Sequence, residues 1–213
     1  MPYLVKEIYY TLQGEGAHAG RPAVFCRFSG CNLWTGREEH RAGATCQFCD
    51  TDFVGTDGPG GGRFKTPGEM ASAVAATWAG QRQPRAEPYV VCTGGEPLLQ
   101  LDAPAVDAFH QAGFRVGVET NGTRPGPPEL DWVCVSPKAG AELQLNHGHE
   151  LKLVYPQEGA PPEAFEGMSF ERFSLQPMDG PARERNTALA VEYCLAHPQW
   201  RLSLQTHKYL GIR

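Results

Sequence analysis

The feature that most constrains this chain is a series of short runs rich in β-branched and aromatic residues, interleaved with helical patterns. The runs lie at 23–28, 89–92, 114–118, 132–135, 151–154 and 173–175, each followed by polar or Gly- and Pro-bearing residues. Runs of this length and make-up read as buried strands. Leu-Ser-Leu at 202–204 is a further candidate, and residues 6–11 read as an edge strand ahead of the first run. Helical patterns occupy 67–79, 102–112 and 182–196. The first has Thr66 as N-cap, Pro67 at its opening position and Glu69 at the capping-box position. The second ends at Gly113, and the third starts near Asp179 or Gly180 and is stopped by Pro198. Strand alternating with helix implies parallel pairing through right-handed crossovers. Segments 120–135 and 136–150 are too turn-rich for full crossover helices. The expected fold is α/β, an incomplete (partial) TIM-like barrel with mostly parallel strands and few helices. A complete (β/α)₈ barrel takes about 250 residues, against 213 here. No repeat or linker is visible, so a single domain over 1–213 is expected.

That length suffices for one real core. No stretch of 18 apolar residues occurs, which excludes a transmembrane helix. The first residues lack the basic segment and apolar core of a signal peptide, so a cytoplasmic location is expected. A net charge of −5 disfavours broad electrostatic binding to nucleic acid but leaves room for a small anion held by a few arginines. With 25 glycines and 18 prolines the chain suits a loop-rich α/β domain. The Gly-rich run 55–62 lacks the Gly-Lys-Ser/Thr ending of a phosphate loop and reads as a surface loop. Asn121-Gly122-Thr123 matches a glycosylation triplet, but an Asn-Gly turn after a strand explains it better.

Seven cysteines in a cytoplasmic chain suggest metal or buried thiols before disulfides, and the odd count argues against a complete disulfide framework. Three of them, Cys31, Cys46 and Cys49, share the segment after the first run. Iron–sulfur clusters bind thiolates, usually four; three would leave one iron open. A zinc site would want a fourth ligand, and His40 lies within the same loop. Cys46 and Cys49 could also form a redox dithiol, without a thioredoxin-like setting. Spacing alone leaves zinc and iron–sulfur evenly matched. After the second run comes Thr-Gly-Gly-Glu-Pro at 93–97. Consecutive glycines at the end of a barrel strand let backbone approach a ligand closely, and Glu96 could meet a cationic amine. Taken alone, the same residues are an ordinary turn. Cys26, Cys92 and Cys134 fall in strand runs and Cys194 in a helix, as buried small hydrophobes do. His147 and His149 read as part of a turn.

Together the cysteines and the Gly-Gly-Glu-Pro segment resemble the radical S-adenosylmethionine (SAM) superfamily, where three cysteines hold a [4Fe–4S] cluster and SAM chelates the open iron. Superfamily members usually have three residues between the first two cysteines; here residues 32–45 intervene, an enlarged cluster-binding loop. The resemblance narrows to the 7-carboxy-7-deazaguanine synthase family on Tyr-Thr-Leu-Gln-Gly-Glu-Gly at 10–16, Arg-Pro-Ala-Val-Phe-Cys-Arg at 21–27 and Cys-Asp-Thr at 49–51. Glu-Thr-Asn-Gly-Thr at 119–123, Ser-Pro-Lys at 136–138, Gln-Pro-Met-Asp at 176–179 and Gln-Thr-His-Lys at 205–208 extend it over nearly the whole chain.

That resemblance implies a radical ring contraction of 6-carboxy-5,6,7,8-tetrahydropterin to 7-carboxy-7-deazaguanine with loss of ammonia, on the route to queuosine. It implies a [4Fe–4S] cluster on Cys31, Cys46 and Cys49, SAM, and Mg²⁺ with Thr51 as an oxygen ligand. SAM would meet Phe48, Cys49, Asp50, Gly95, Glu96, Ser136, Pro137, Lys138, Gln176 and Asp179. The pterin would meet Leu12, Gln13, Gly14, Glu15, Arg27, Thr93 and Arg213. No protein residue is expected to generate the radical, since that chemistry belongs to SAM. Arg27 would pair bidentately with the substrate carboxylate if it points inward, and strand alternation with Phe25 and Phe28 leaves its direction open. Expected partners are a reductase or flavodoxin-type electron donor and a second copy of the chain, with no nucleic acid and no membrane. Two rival readings stand beside this one. A glycyl-radical activase would keep the cofactor and act on a partner protein. A zinc module built on the three cysteines and His40 leaves the Gly-Gly-Glu segment unexplained.

Overall fold

The computed structural model describes residues 1–80 and 87–213. Nine strands form one sheet: β1 (Tyr3–Leu12), β2 (Pro22–Phe28), β3 (Gly62–Phe64), β4 (Tyr89–Gly94), β5 (Arg115–Thr120), β6 (Trp132–Val135), β7 (His147–Tyr155), β8 (Ser169–Pro177) and β9 (Trp200–Leu202). Their order is β3-β1-β2-β4-β5-β6-β7-β8-β9. From β2 to β9 every pairing is parallel, while β1 runs antiparallel to both β2 and β3. The strand expected at the sheet edge is therefore one place in, covered by β3. The Gly-rich run supplies that cover, since its last residue, Gly62, opens β3. His147 and His149 belong to β7 rather than to a turn, and His149 Nδ1 accepts from the Val133 amide at 2.9 Å.

The helices are α1 (Pro67–Ala79), α2 (Ala103–Gln111), α3 (Arg183–Ala196) and α4 (Thr206–Leu210). Capping explains the first two starts. Thr66 accepts from the Glu69 amide and Asp102 from the Ala105 amide, each satisfying an otherwise orphaned N–H. The crossovers β5–β6 and β6–β7 carry no helix, as their turn-rich sequences require. Strand β9 lies at 200–202 rather than 202–204 because Trp200 enters the core, its ring 5.2 Å from that of Phe173.

Alternation along the strands separates two faces. Val24, Cys26 and Phe28 of β2, with Val90 and Cys92 of β4, join α1 and α2 in the main core. Leu151, Leu153 and Leu175 form a second core with Trp200, with Tyr193 and Cys194 of α3 packed against it. A register shift between Val5 and Glu7 lets Val5 and Ile8 both face the main core while Glu7 turns inward. The inner face carries an unusual polar load: Glu7, Arg27, Thr93, Glu119, Glu150, Lys152, Ser174 and Gln176. Edge strands β3 and β9 do not pair with each other, so the barrel is incomplete. Loops bridge the gap. Gly16 donates to Ser203 Oγ at 2.8 Å, Ala17 donates to the Glu150 carboxylate, and the Thr206 amide donates to Gly14 O. Gly16 sits at φ +65°, and a Cβ there would stand 2.7 Å from Glu150, which accounts for the second glycine of Gln-Gly-Glu-Gly. Among the described residues no helix is long and apolar enough to cross a membrane.

Candidate active site

Three loops converge at the C-terminal ends of β2, β4 and β5. The segment after β2 carries the cysteines. It is closed on itself by Thr45 and Cys46 amides donating to Leu33 O, which brings Cys46 back towards Cys31 despite the intervening residues. Asn121, after β5, donates to Asn32 Oδ1 at 3.1 Å and ties this loop to the sheet. Its own carboxamide oxygen takes Thr123, so the triplet is a buried turn rather than a glycan acceptor. Gly95, after β4, lies so close to the cysteine loop that a Cβ would stand 2.1 Å from Gly30 O and 2.8 Å from Cys31 Cβ. Only glycine fits that approach.

Cys31, Cys46 and Cys49 line one cavity with Phe48, Gly94, Gly95, Ser136, Lys138 and Gln176. All three thiols are free. The hydrogen bond from Cys46 holds Cys49 down to about 6, while the same bond and burial push Cys46 upward. Burial also raises the Cys31 thiol. Lys138 donates to Ser136 O and Oγ and stands 5.9 Å from the Phe48 ring centre. Burial lowers its pKa, and the Cys46 and Cys49 thiols oppose that drop. Among the described residues no three His, Cys, Asp or Glu groups converge tightly enough to hold a single ion. A cluster asks for less convergence, because each cysteine meets a different iron. His40 lines a separate surface hollow with Cys31 but without Cys46 or Cys49, and bonds Thr35. A four-ligand zinc set is thus not assembled. Three soft thiolates around a cradle that only glycine permits fit a cluster bound by three cysteines. Cys26, Cys92 and Cys134 are fully buried, and burial raises all three thiols.

A second cavity adjoins the first and shares Glu15, Asp50, Thr51, Thr93, Glu119 and Gln205 with it. Its remaining wall includes Leu12, Gln13, Gly14, Arg27, His207 and Arg213. Arg27 points inward: its Nε donates to Glu7 at 2.8 Å and its Nη2 to Tyr9 Oη at 2.7 Å. Arg213 also pairs with Glu7. Two guanidiniums on one carboxylate leave a net positive end to this cavity, suited to an anion. Gln13, almost fully buried, donates to Glu119 Oε1.

Where the cavities meet, Lys152 Nζ donates to Glu15 Oε2 at 2.7 Å and to Glu119 Oε2 at 2.9 Å. Burial alone would raise Glu15, but the Lys152 charge and the hydrogen bonds from Lys152 and Gln205 hold it at about 2. Burial raises Glu119; Lys152 opposes, and the nearby Glu15 and Glu150 carboxylates tip the balance upward. Burial pulls Lys152 down, but Glu119 and Glu15 override it and keep the ammonium charged. Sequence reasoning missed Lys152. The available signal was a lysine inside an apolar run, at a strand position facing the same side as Glu150.

Two residues expected at SAM lie off the walls of both cavities. The Glu96 side chain does not reach the cleft. It is wholly buried and accepts from the Leu98 amide, Thr120 Oγ1 and the Asn121 amide, bracing the β5 turn against the β4 turn. Pro137 is buried off both walls, its carbonyl taken by Gln157. Asp50 and Asp179 stand at the rim and share Lys208, at 2.5 and 2.6 Å, which pins α4 across the opening.

No family model matches the chain. A 7-carboxy-7-deazaguanine synthase of Bradyrhizobium diazoefficiens is 66% identical over 213 residues, covering 100% of both chains. One from Bordetella pertussis is 65% identical over 212 residues, again 100% of each. A more distant relative of the same name from Bacteroides thetaiotaomicron is 43% identical and covers 98% of each. The crystal structure of QueE from Escherichia coli superposes with a TM-score of 0.70 at 28% identity, covering 97% of this chain and 95% of that one.

Proposed function

The chain belongs to the 7-carboxy-7-deazaguanine synthase family, and on that premise we propose how its two adjoining cavities divide the work. The reaction is conversion of 6-carboxy-5,6,7,8-tetrahydropterin to 7-carboxy-7-deazaguanine with loss of ammonia, in the biosynthesis of queuosine and related 7-deazapurines. Bound in the cysteine cavity, a [4Fe–4S] cluster and SAM supply one-electron chemistry that abstracts hydrogen from carbon. Everything else falls to the chain's own residues, chiefly position and exclusion of water. The observation that carries this reading is the shared wall. Glu15, Thr51, Thr93 and Glu119 face both cavities, so molecules bound in the two would lie side by side.

Cys31, Cys46 and Cys49 ligate the cluster. Gly95 brings backbone against SAM, and Phe48, Ser136, Lys138 and Gln176 line its place, with Asp50 and Asp179 at the rim. In the second cavity Arg27 and Arg213 receive the pterin carboxylate. Leu12, Gln13 and Gly14 line the ring edge, and Glu15 and Thr93 close the side towards SAM. Glu15, ionised at neutral pH, accepts from the amine and amide N–H groups of the pterin. Thr51, which lines both cavities, would offer its hydroxyl oxygen to Mg²⁺. The whole of 1–213 acts as one domain in the cytoplasm and draws its electron from a reductase or flavodoxin-type donor. Exposed Val191, Leu195, Leu202, Leu210 and Ile212 lie on α3, β9 and the C-terminal segment, near the open sheet edge. They support a homodimer.

The test is anaerobic incubation of the cluster-loaded chain with SAM, reductant and the carboxypterin. The deazaguanine product is expected; a loaded, reduced sample that yields none refutes the reading.

A further inference from the structure

The enlarged loop 32–45 has no task in the scheme above, and its geometry assigns one. Arg41 lies in a 3₁₀ turn, Glu38–Gly43, and does not line the cysteine cavity itself. Its Nη1 donates to Gln47 O at 2.9 Å and Cys49 O at 3.0 Å, the carbonyls on either side of Phe48. Its Nε is held by both Glu38 oxygens at 2.8 Å. The guanidinium lies over the Trp34 ring, 4.2 Å from its centre. Trp34 in turn is almost fully buried, packs edge-on against Phe53 and lines the cavity with the cysteines.

One planar group thus joins the insertion to the segment that carries two of the three cysteines. We infer that Arg41 is a positioning residue for the cluster: it fixes the Cys46–Cys49 segment and Trp34 as one wall. This rests on the assignment of the three cysteine thiolates to a [4Fe–4S] cluster.

The experiment compares anaerobically reconstituted wild type with Arg41→Lys and Arg41→Met. Readouts are the rate of iron loss to a chelator and the EPR spectrum of the reduced cluster. Loss of a partner outside the ligand shell typically costs 10- to 100-fold in metal affinity. Arg41→Met is expected to shed iron roughly tenfold faster and to show a shifted EPR spectrum, because the Gln47 and Cys49 carbonyls and the Trp34 ring lose their common tie. Arg41→Lys should also shed iron faster, because an ammonium cannot bridge both carbonyls and cover Trp34. Should Arg41→Met fail to fold, the lysine variant decides. Wild-type iron retention in Arg41→Lys, or an unchanged EPR spectrum in a folded Arg41→Met, overturns the inference. A wild-type chain that takes up no cluster overturns the cluster assignment instead.

Discussion

Replacing Lys152 by Met isolates the buried charge triad between the two cavities. The Lys152 side chain is 5% exposed, and Glu15 and Glu119 are 20% and 19% exposed, so water screens the triad weakly. Glu15 is held at about 2 against an ordinary 4.5, which corresponds to about 3 kcal/mol of stability at neutral pH. Removing one partner of a buried pair costs about 3–5 kcal/mol in other proteins, so the two routes agree. The sign follows from the direction of the shift. A lowered carboxylate stabilises the fold above its unfolded pKa, and that contribution is lost as pH falls from about 4.5 towards 2. In the variant, both buried carboxylates lose their cation and titrate above 4.5, so their penalty fades as acid protonates them. Urea denaturation of the cluster-free chains should therefore show a difference of about 3 kcal/mol at neutral pH that shrinks as pH approaches 4.5. A difference below about 1 kcal/mol, or one independent of pH, would refute the claim that Lys152 is the counter-charge of both carboxylates.

Other outcomes are fixed by single contacts. Cys31→Ala, Cys46→Ala and Cys49→Ala should each abolish cluster absorbance and product, whereas Cys194→Ala, outside both cavities, should leave both intact. Gly95→Ala forces a Cβ onto Gly30 O; a loss of about 1–3 kcal/mol in denaturation is expected, with poor cluster loading by iron analysis. Glu96→Gln turns an amide group towards three donors; it should cost about 1–3 kcal/mol by thermal melting, while SAM affinity in titration calorimetry changes less than in a Gly95 variant. Arg27→Lys cannot serve Glu7 and Tyr9 and still pair bidentately with a carboxylate. Its KM for the pterin should rise roughly tenfold, with the cluster spectrum unchanged.

Much of this molecule was legible in one dimension because its signals are local. The span 67–79 is a helix because Thr66, Pro67 and Glu69 set its start. The runs of β-branched residues became parallel strands because such side chains pack on a pleated, buried surface. The three cysteines and Gly-Gly-Glu-Pro are motifs of spacing, and they mark the same cavity wall that the fold assembles. Other features depend on partners distant in sequence. Arg27 faces inward because its neighbours Cys26 and Phe28 enter the main core on the other face of β2, and a register shift in β1 turns Glu7 towards it. Glu96, read as a ligand from its motif, is consumed by donors at 98, 120 and 121 that appear only when β5 lies beside β4. Lys152 gains its role from Glu15 and Glu119, which lie in other parts of the chain and meet it only inside the barrel. By itself the sequence determined the elements and marked the cysteine loop as a thiolate metal site, since both follow from nearest-neighbour preferences and residue type; the choice of an iron–sulfur cluster came from the family resemblance. Only the tertiary structure decided which charges face each other across the barrel. Charge pairing in a buried site depends on separations of a few ångströms between residues that the chain order does not bring together.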